Sequence, residues 1–265
     1  MRRRRLAVLG SLLALALTLP GCAFGSTPAP IPGVKRARAP DRQAATLVVF
    51  LPGFGDRPER YLEHRVIDRL QATGVDVDAI ALDGHFGYYA SGELWQRVHD
   101  DVVAPARARG QRVWIFGLSM GGLGALMTAS QRRGTVDGIV LMSPYTGRRR
   151  TTRAIARAGG PRAWRPPQGP GRWDVELWRW LRDYDASAPE YPEIFLGYGL
   201  DESGADGNFP LIASLLPADR VYTRAGPHDW STWNQLWDDM LSEVVRAIER
   251  DASSASAATA ATRAG

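Results

Sequence analysis

A single cysteine, Cys22, serves the whole 265-residue chain, and one cysteine cannot close an intrachain disulfide. Histidine is scarce as well: the four present are His64, His85, His99 and His228, so any imidazole chemistry must fall to one of them. Residues 1–21 contain no acid, and the apolar run within them, "LAVLGSLLALALTL", is shorter than the ~20 residues a comfortable transmembrane helix requires. No internal repeat breaks the chain into an array. The composition is otherwise that of an ordinary globular protein, 45% hydrophobic and 23% charged.

A formal charge of +5 suggests nucleic acid, but four of the 33 basic residues are Arg2, Arg3, Arg4 and Arg5. Without them 29 bases face 28 acids, and a body of about +1 gives a polyanion little to hold. Those arginines form instead the positive start of an export signal, followed by the apolar run and then "LPGC". Leu19-Pro20-Gly21-Cys22 resembles the lipobox of bacterial lipoproteins, which implies a signal peptide over 1–21 and a lipidated Cys22 (palmitate among its acyl chains). The chain would then be anchored in the cell envelope, facing the periplasm. Ala23 does not resemble an inner-membrane retention residue, which favours the outer membrane.

Residues 22–44, rich in Pro, Gly, Ala and charge, read as a flexible tether, and residues 251–265 as a disordered low-complexity tail. Between them, over 45–250, strands and helices alternate. "TLVVFL", "VDVDAIAL", "RVWIFG", "VDGIVLMS" and "EIFLGYG" are continuous apolar runs, with "DRVYTRAG" a short last strand. Helices are expected over "DRPERYLEHRVIDRLQATG", capped by Asp56 and Glu59, over "ELWQRVHDDVVAPARARG", and from Gly121 to Arg133. A last helix carries Trp233, Leu236, Trp237, Met240, Leu241, Val244 and Ile248 on one face. Strands without polar alternation, separated by helices, imply an α/β fold with a mostly parallel, doubly wound sheet covered on both faces. Chemistry in such sheets sits beyond the carboxyl ends of the strands.

Ser119 lies at such an end, in "GLSMGG", between a strand and a helix. Gly117 and Gly121 remove the side chains that would collide in so sharp a reversal, leaving the serine on its tip. A hydroxyl needs a base, and His228 in "RAGPHDW" follows the last strand, whereas His64 and His99 lie within helices and His85 precedes the nucleophile. The acid should follow "EIFLGYG". Asp201 comes first, with Glu202 and Asp206 as alternatives. Two N–H donors must face a developing oxyanion: Met120, after the serine, and Phe54 in "LPGFGD". Asp229 adjoins His228 too closely in sequence to face it.

These segments together resemble the α/β-hydrolase superfamily. "FLPGFGD" is similar to its oxyanion loop, with Pro52 in place of the usual histidine, and "GLSMGG" to its nucleophile elbow. "GPHDWSTW" is similar to the H-x-W-x-x-W segment of the esterase D-like branch. The resemblance spans roughly 45–250 and implies a serine esterase without metal or organic cofactor, acting on a small-molecule or lipid ester. Acyl transfer to an alcohol by the same triad, or a non-catalytic envelope lipoprotein of this fold, are the alternatives. Residues 144–190 exceed one crossover helix and suggest a cap; "RRRTTRAIARAGGPRAWR" within them holds seven arginines and no acid. Trp178 is expected to pack inward, another of the nearby tryptophans to shape a pocket, and Tyr88 and Tyr89 to line core or pocket.

Overall fold

The computed structural model describes residues 26–264 except 205 and 206, and only the backbone of 255–264. Seven strands make one sheet: β1 (Gly33–Arg36), β2 (Thr46–Leu51), β3 (Val77–Leu82), β4 (Arg112–Leu118), β5 (Gly138–Met142), β6 (Glu193–Gly199) and β7 (Val221–Arg224). Their order across the sheet is β1-β3-β2-β4-β5-β6-β7, with β1 antiparallel to β3 and every other pair parallel. The apolar runs are continuous because both faces are covered. In β2, Val49 and Leu51 enter one core while Val48 and Phe50 enter the other; in β4, Val113 and Ile115 part from Trp114, Phe116 and Leu118 in the same way.

One face carries α3 (Phe86–Ser91), α4 (Leu94–Val98), α5 (Ala104–Ala108), α6 (Met120–Gln131), α8 (Trp173–Arg182) and α9 (Asn208–Ala213). The other carries α1 (Arg60–Glu63), α2 (Val66–Ala72) and α10 (Trp230–Ala264). The apolar stripe of α10 packs as its spacing requires: Trp233, Leu236, Trp237, Met240, Val244 and Ile248 are buried, and Leu241 is half-buried. At roughly 1.5–3 kcal/mol per buried large side chain, this stripe fixes the position of the loop just before it, which bears His228.

Four expectations need correction. The segment taken as a tether over 22–44 contributes the edge strand β1, and Ile31 beside it is buried, its N–H donating to Asp101 (2.8 Å). The segment taken as a disordered tail over 251–265 continues α10 to Ala264. The helix expected from Asp56 to Gly74 is two, because Arg65 takes a left-handed conformation (φ 55°), and neither Asp56 nor Glu59 caps it through its side chain. The helix expected over 93–110 forms, but with a wider π turn at His99–Val103. There Pro105 has no N–H to return to the turn before it. The signal peptide and Cys22 lie outside the described residues. Among those described, no helix is long and apolar enough to cross a membrane.

Candidate active site

The chain leaves β4 and enters α6 through Ser119, whose backbone is held at φ 51° and ψ −111°. Few L-residues adopt such a conformation, and it persists only where the surroundings impose it. Here Ser119 N–H donates to Met142 O (2.8 Å), and Ser119 O accepts from Tyr145 N (2.9 Å) and Gly122 N (3.0 Å). The flanking glycines are obligatory for packing. A Cβ on Gly121 would lie 1.9 Å from the Leu51 carbonyl oxygen, and one on Gly117 2.5 Å from the Gly121 oxygen.

His228 reaches this tip from the loop between β7 and α10. Its Nε2 lies 3.0 Å from Ser119 Oγ, and its Nδ1 lies 2.5 Å from Glu202 Oε2. The imidazole is partly exposed, while the Glu202 side chain is almost fully buried. A carboxylate facing Nδ1 accepts its proton, which leaves Nε2 free to accept from the serine hydroxyl. Glu202 Oε1 is held from the other side by Ser143 Oγ (2.6 Å) and Gly199 N (2.6 Å). Ser143 in turn accepts from Trp233 Nε1 (3.0 Å), and the Trp233 ring stands edge-on to the imidazole at 4.8 Å. Trp233, Ser143, Glu202, His228 and Ser119 thus form one connected chain of side chains.

Asp201, the acid placed first by sequence, does not touch His228. After β6 the chain turns so that Glu202 N comes 3.4 Å from Gly199 O, folding residue 202 back over the strand end and leaving Asp201 outside. Asp201 Oδ2 accepts from Gly226 N (2.8 Å), and its own N–H donates to Gly226 O (3.2 Å), clasping the acid loop to the histidine loop. Asp206 lies outside the described residues. Asp229 accepts from Thr232 N (3.0 Å) and caps α10.

The "LPGFGD" loop lies against the serine: Gly53 would present a Cβ 3.5 Å from Ser119 Cβ. Met120 is the first residue of α6, so its N–H has no acceptor within the helix. Among the described residues neither it nor the Phe54 N–H has a hydrogen-bond partner. Asp56, at the end of that loop, accepts from Trp230 Nε1 (3.2 Å). Trp230 stacks flat on His64 at 4.1 Å, and burial together with the nearby Arg60 charge lowers the His64 pKa. The two tryptophans of the histidine segment therefore have separate duties. Trp233 props the acid, and Trp230 ties the loop at Phe54 to the loop at His228.

A cavity of about 280 Å³ opens at Met120, walled by Tyr89, Trp95, Leu123, Met127, Tyr145 and Trp173 among others. Tyr89 spends its hydroxyl on Met120 O (2.8 Å), anchoring the start of α6. The insertion supplies two of these walls, Tyr145 and Trp173, and forms α7 (Arg149–Arg157) and α8. Trp178 packs fully inward and donates to Thr146 O (2.9 Å). Asp174, fully buried, pins the insertion by accepting from Thr151 Oγ1 (2.7 Å) and the Arg172 guanidinium (3.0 Å). Burial pushes its carboxyl up, but those donors outweigh burial and hold it below the usual carboxylate range. Arg148, Arg149, Arg150, Arg153 and Arg157 are exposed, and among the described residues none of their guanidinium groups pairs with a carboxylate. Tyr88 is core, donating to Pro28 O (2.7 Å), with its phenol pushed by burial to about 12. His85 is engaged elsewhere, its Nδ1 accepting from Gly87 N (3.1 Å) at the start of α3 and its Nε2 lying 3.1 Å from Ser26 O. No cluster of metal-ligating side chains occurs among the described residues.

Ser143, Glu202 and Trp233 were missed or under-weighted in the sequence. Ser143 carried no signal; Glu202 carried one as an alternative acid after β6, and Trp233 as the second tryptophan of the histidine segment.

The family model described as serine aminopeptidase, S33, matches residues 42–165, a span holding the Phe54 loop and Ser119 but neither Glu202 nor His228. No curated protein matches the chain by sequence. Solved structures of similar fold include the S-formylglutathione hydrolase of Staphylococcus aureus (TM-score 0.53, 15% identity, covering 77% of this chain and 82% of that one). A ferulic acid esterase (0.52, 17%, 79% and 88%) and the protein TT1662 of Thermus thermophilus (0.55, 12%, 84% and 96%) are others.

Proposed function

From the α/β-hydrolase fold that this chain has, we propose that it is a serine hydrolase cleaving carboxylic esters through Ser119, His228 and Glu202. The observation that carries the reading is the unbroken relay from Ser119 Oγ to His228 Nε2 (3.0 Å) and from Nδ1 to Glu202 (2.5 Å), mounted on a strained strand–helix turn. His228 removes the hydroxyl proton as Ser119 attacks the ester carbonyl. The tetrahedral oxyanion is met by the N–H groups of Phe54 and Met120, which need no reorganisation because neither is otherwise engaged. His228, now an imidazolium stabilised by Glu202, protonates the departing alkoxide. It then takes a proton from water, which attacks the acyl-enzyme, and returns that proton to Ser119 Oγ as the acid is released.

The reading extends to location on sequence grounds alone. The segment before the folded body, with Cys22 after Leu19-Pro20-Gly21, supports a lipid-anchored protein of the bacterial cell envelope.

The direct test is an active-site-directed fluorophosphonate followed by a p-nitrophenyl ester assay. The wild-type chain should label at Ser119 and turn over the ester. Ser119→Ala should lose both labelling and roughly five to six orders of magnitude in kcat while keeping its Tm. Undiminished turnover by Ser119→Ala would end the proposal.

A further inference from the structure

The cavity at Met120 takes its walls from α3, α4, α6, the segment after β5 and the start of α8. None comes from the loop bearing His228 or from α10. That one-sidedness has a stereochemical consequence. The imidazole that takes the serine proton must deliver it to the leaving oxygen, so the alcohol departs on the His228 side. The carbonyl oxygen is committed to the Phe54 and Met120 N–H groups. Only the acyl substituent remains, and it must run away from the imidazole, where Met120 begins the cavity.

Resting on the reading above, we propose that this cavity is the acyl site, and that it selects an uncharged, apolar acyl group of about eight to ten carbons. The length follows from size. A cavity of about 150 Å³ takes up benzene, with six carbons; this one, at about 280 Å³, scales to an upper limit of about eleven, and a flexible chain fills such a space less completely than a flat ring. The polarity follows from the walls. They are aromatic, aliphatic and thioether side chains with no charged group among them; the Tyr89 hydroxyl is already given to Met120 O, which leaves the Tyr145 hydroxyl and the indole N–H groups of Trp95 and Trp173 as the polar side-chain atoms. A carboxylate at the far end of the acyl group would therefore be desolvated with no cationic partner.

Two residues make the inference testable. Ala90, on α3, lines the cavity but is itself exposed, so a larger side chain there can enter the cavity without displacing core. Trp173, half-buried at the start of α8, closes another side. The experiment measures kcat/KM for p-nitrophenyl esters from acetate to dodecanoate, and for acetate esters of alcohols of increasing length, with the full chain. In the wild type, kcat/KM should rise about three- to fourfold per methylene until octanoate or decanoate and then level or fall. Ala90→Trp should lower the decanoate-to-acetate ratio at least about tenfold, and Trp173→Ala should move the optimum to longer chains. Neither variant should change the dependence on alcohol length.

A flat acyl profile, a preference for a carboxylate-ended acyl group, or a ratio that shifts in the alcohol series instead would overturn the acyl site. With turnover still dependent on Ser119, each of these leaves the hydrolase reading standing. Turnover that survives in Ser119→Ala removes both.

Discussion

Replacing the Glu202 carboxylate by an amide tests the relay at its most informative point. In Glu202→Gln one oxygen must remain where Oε1 lies, because Ser143 Oγ–H and Gly199 N–H both donate there (2.6 Å each). The amide nitrogen is then forced into the Oε2 position, 2.5 Å from His228 Nδ1. Two N–H donors cannot share that contact, so the imidazole must carry its proton on Nε2, facing Ser119 Oγ. A base in that tautomer has no lone pair for the serine. The same exchange in a serine-protease triad, with geometry preserved, costs about 10⁴ in kcat, equivalent to about 5.5 kcal/mol of barrier. A loss of about 10³- to 10⁴-fold is expected here. Asp201→Asn is the matched control. Its amide oxygen can still accept from the exposed Gly226 N–H, so kcat should stay within about threefold. Steady-state hydrolysis of p-nitrophenyl butyrate at pH 8, with Tm as a check on folding, reads both. If Asp201→Asn proves the more damaging of the two, the assignment of the acid from geometry is wrong.

Ser143→Ala removes the hydroxyl joining Trp233 Nε1 to Glu202 Oε1 and strands a buried indole N–H. It should cost about 1–3 kcal/mol in urea unfolding, seen as a lower midpoint with an unchanged slope. The depressed Asp174 carboxyl stabilises the folded chain fully above the unfolded value near 3.9 and loses that contribution as pH falls through its lower folded value. Asp174→Asn should therefore be less stable at neutral pH, and its deficit should shrink in Tm scans carried down to pH 3. Cys22→Ser should abolish incorporation of labelled palmitate and release the protein from the membrane fraction of an expressing bacterium; incorporation that persists would discard the lipobox.

The parts of the site legible in the sequence were those where backbone geometry leaves a mark on residue type. Ser119 could be found because a reversal at φ 51° with Leu51 O and Gly121 O close by tolerates nothing but glycine on either side. His228 could be found because it stands between a strand end and the helix whose apolar stripe, Leu236, Trp237 and Met240, is readable at helical spacing. The acid resisted because Asp201 and Glu202 are adjacent carboxylates in one loop. Which of them turns inward depends on a single turn after Gly199, and neither composition nor spacing records that turn. The helix expected from Asp56 broke at Arg65 for a comparable reason: His64 and Trp230 stack there across 166 positions of sequence.

Sequence alone determined the layered α/β architecture, the serine on its glycine-flanked turn and the placing of Ser119 and His228 after strand ends, because these rest on local propensity and on periodic burial within single segments. Tertiary structure alone decided that Glu202 faces His228, that Ser143 and Trp233 hold it there, and that Tyr145 and Trp173 from the insertion wall a cavity beside Met120. Each of those is a contact between chain segments far apart in sequence, fixed by how helices dock on the sheet. A contact of that kind leaves no periodicity for a linear reading to detect.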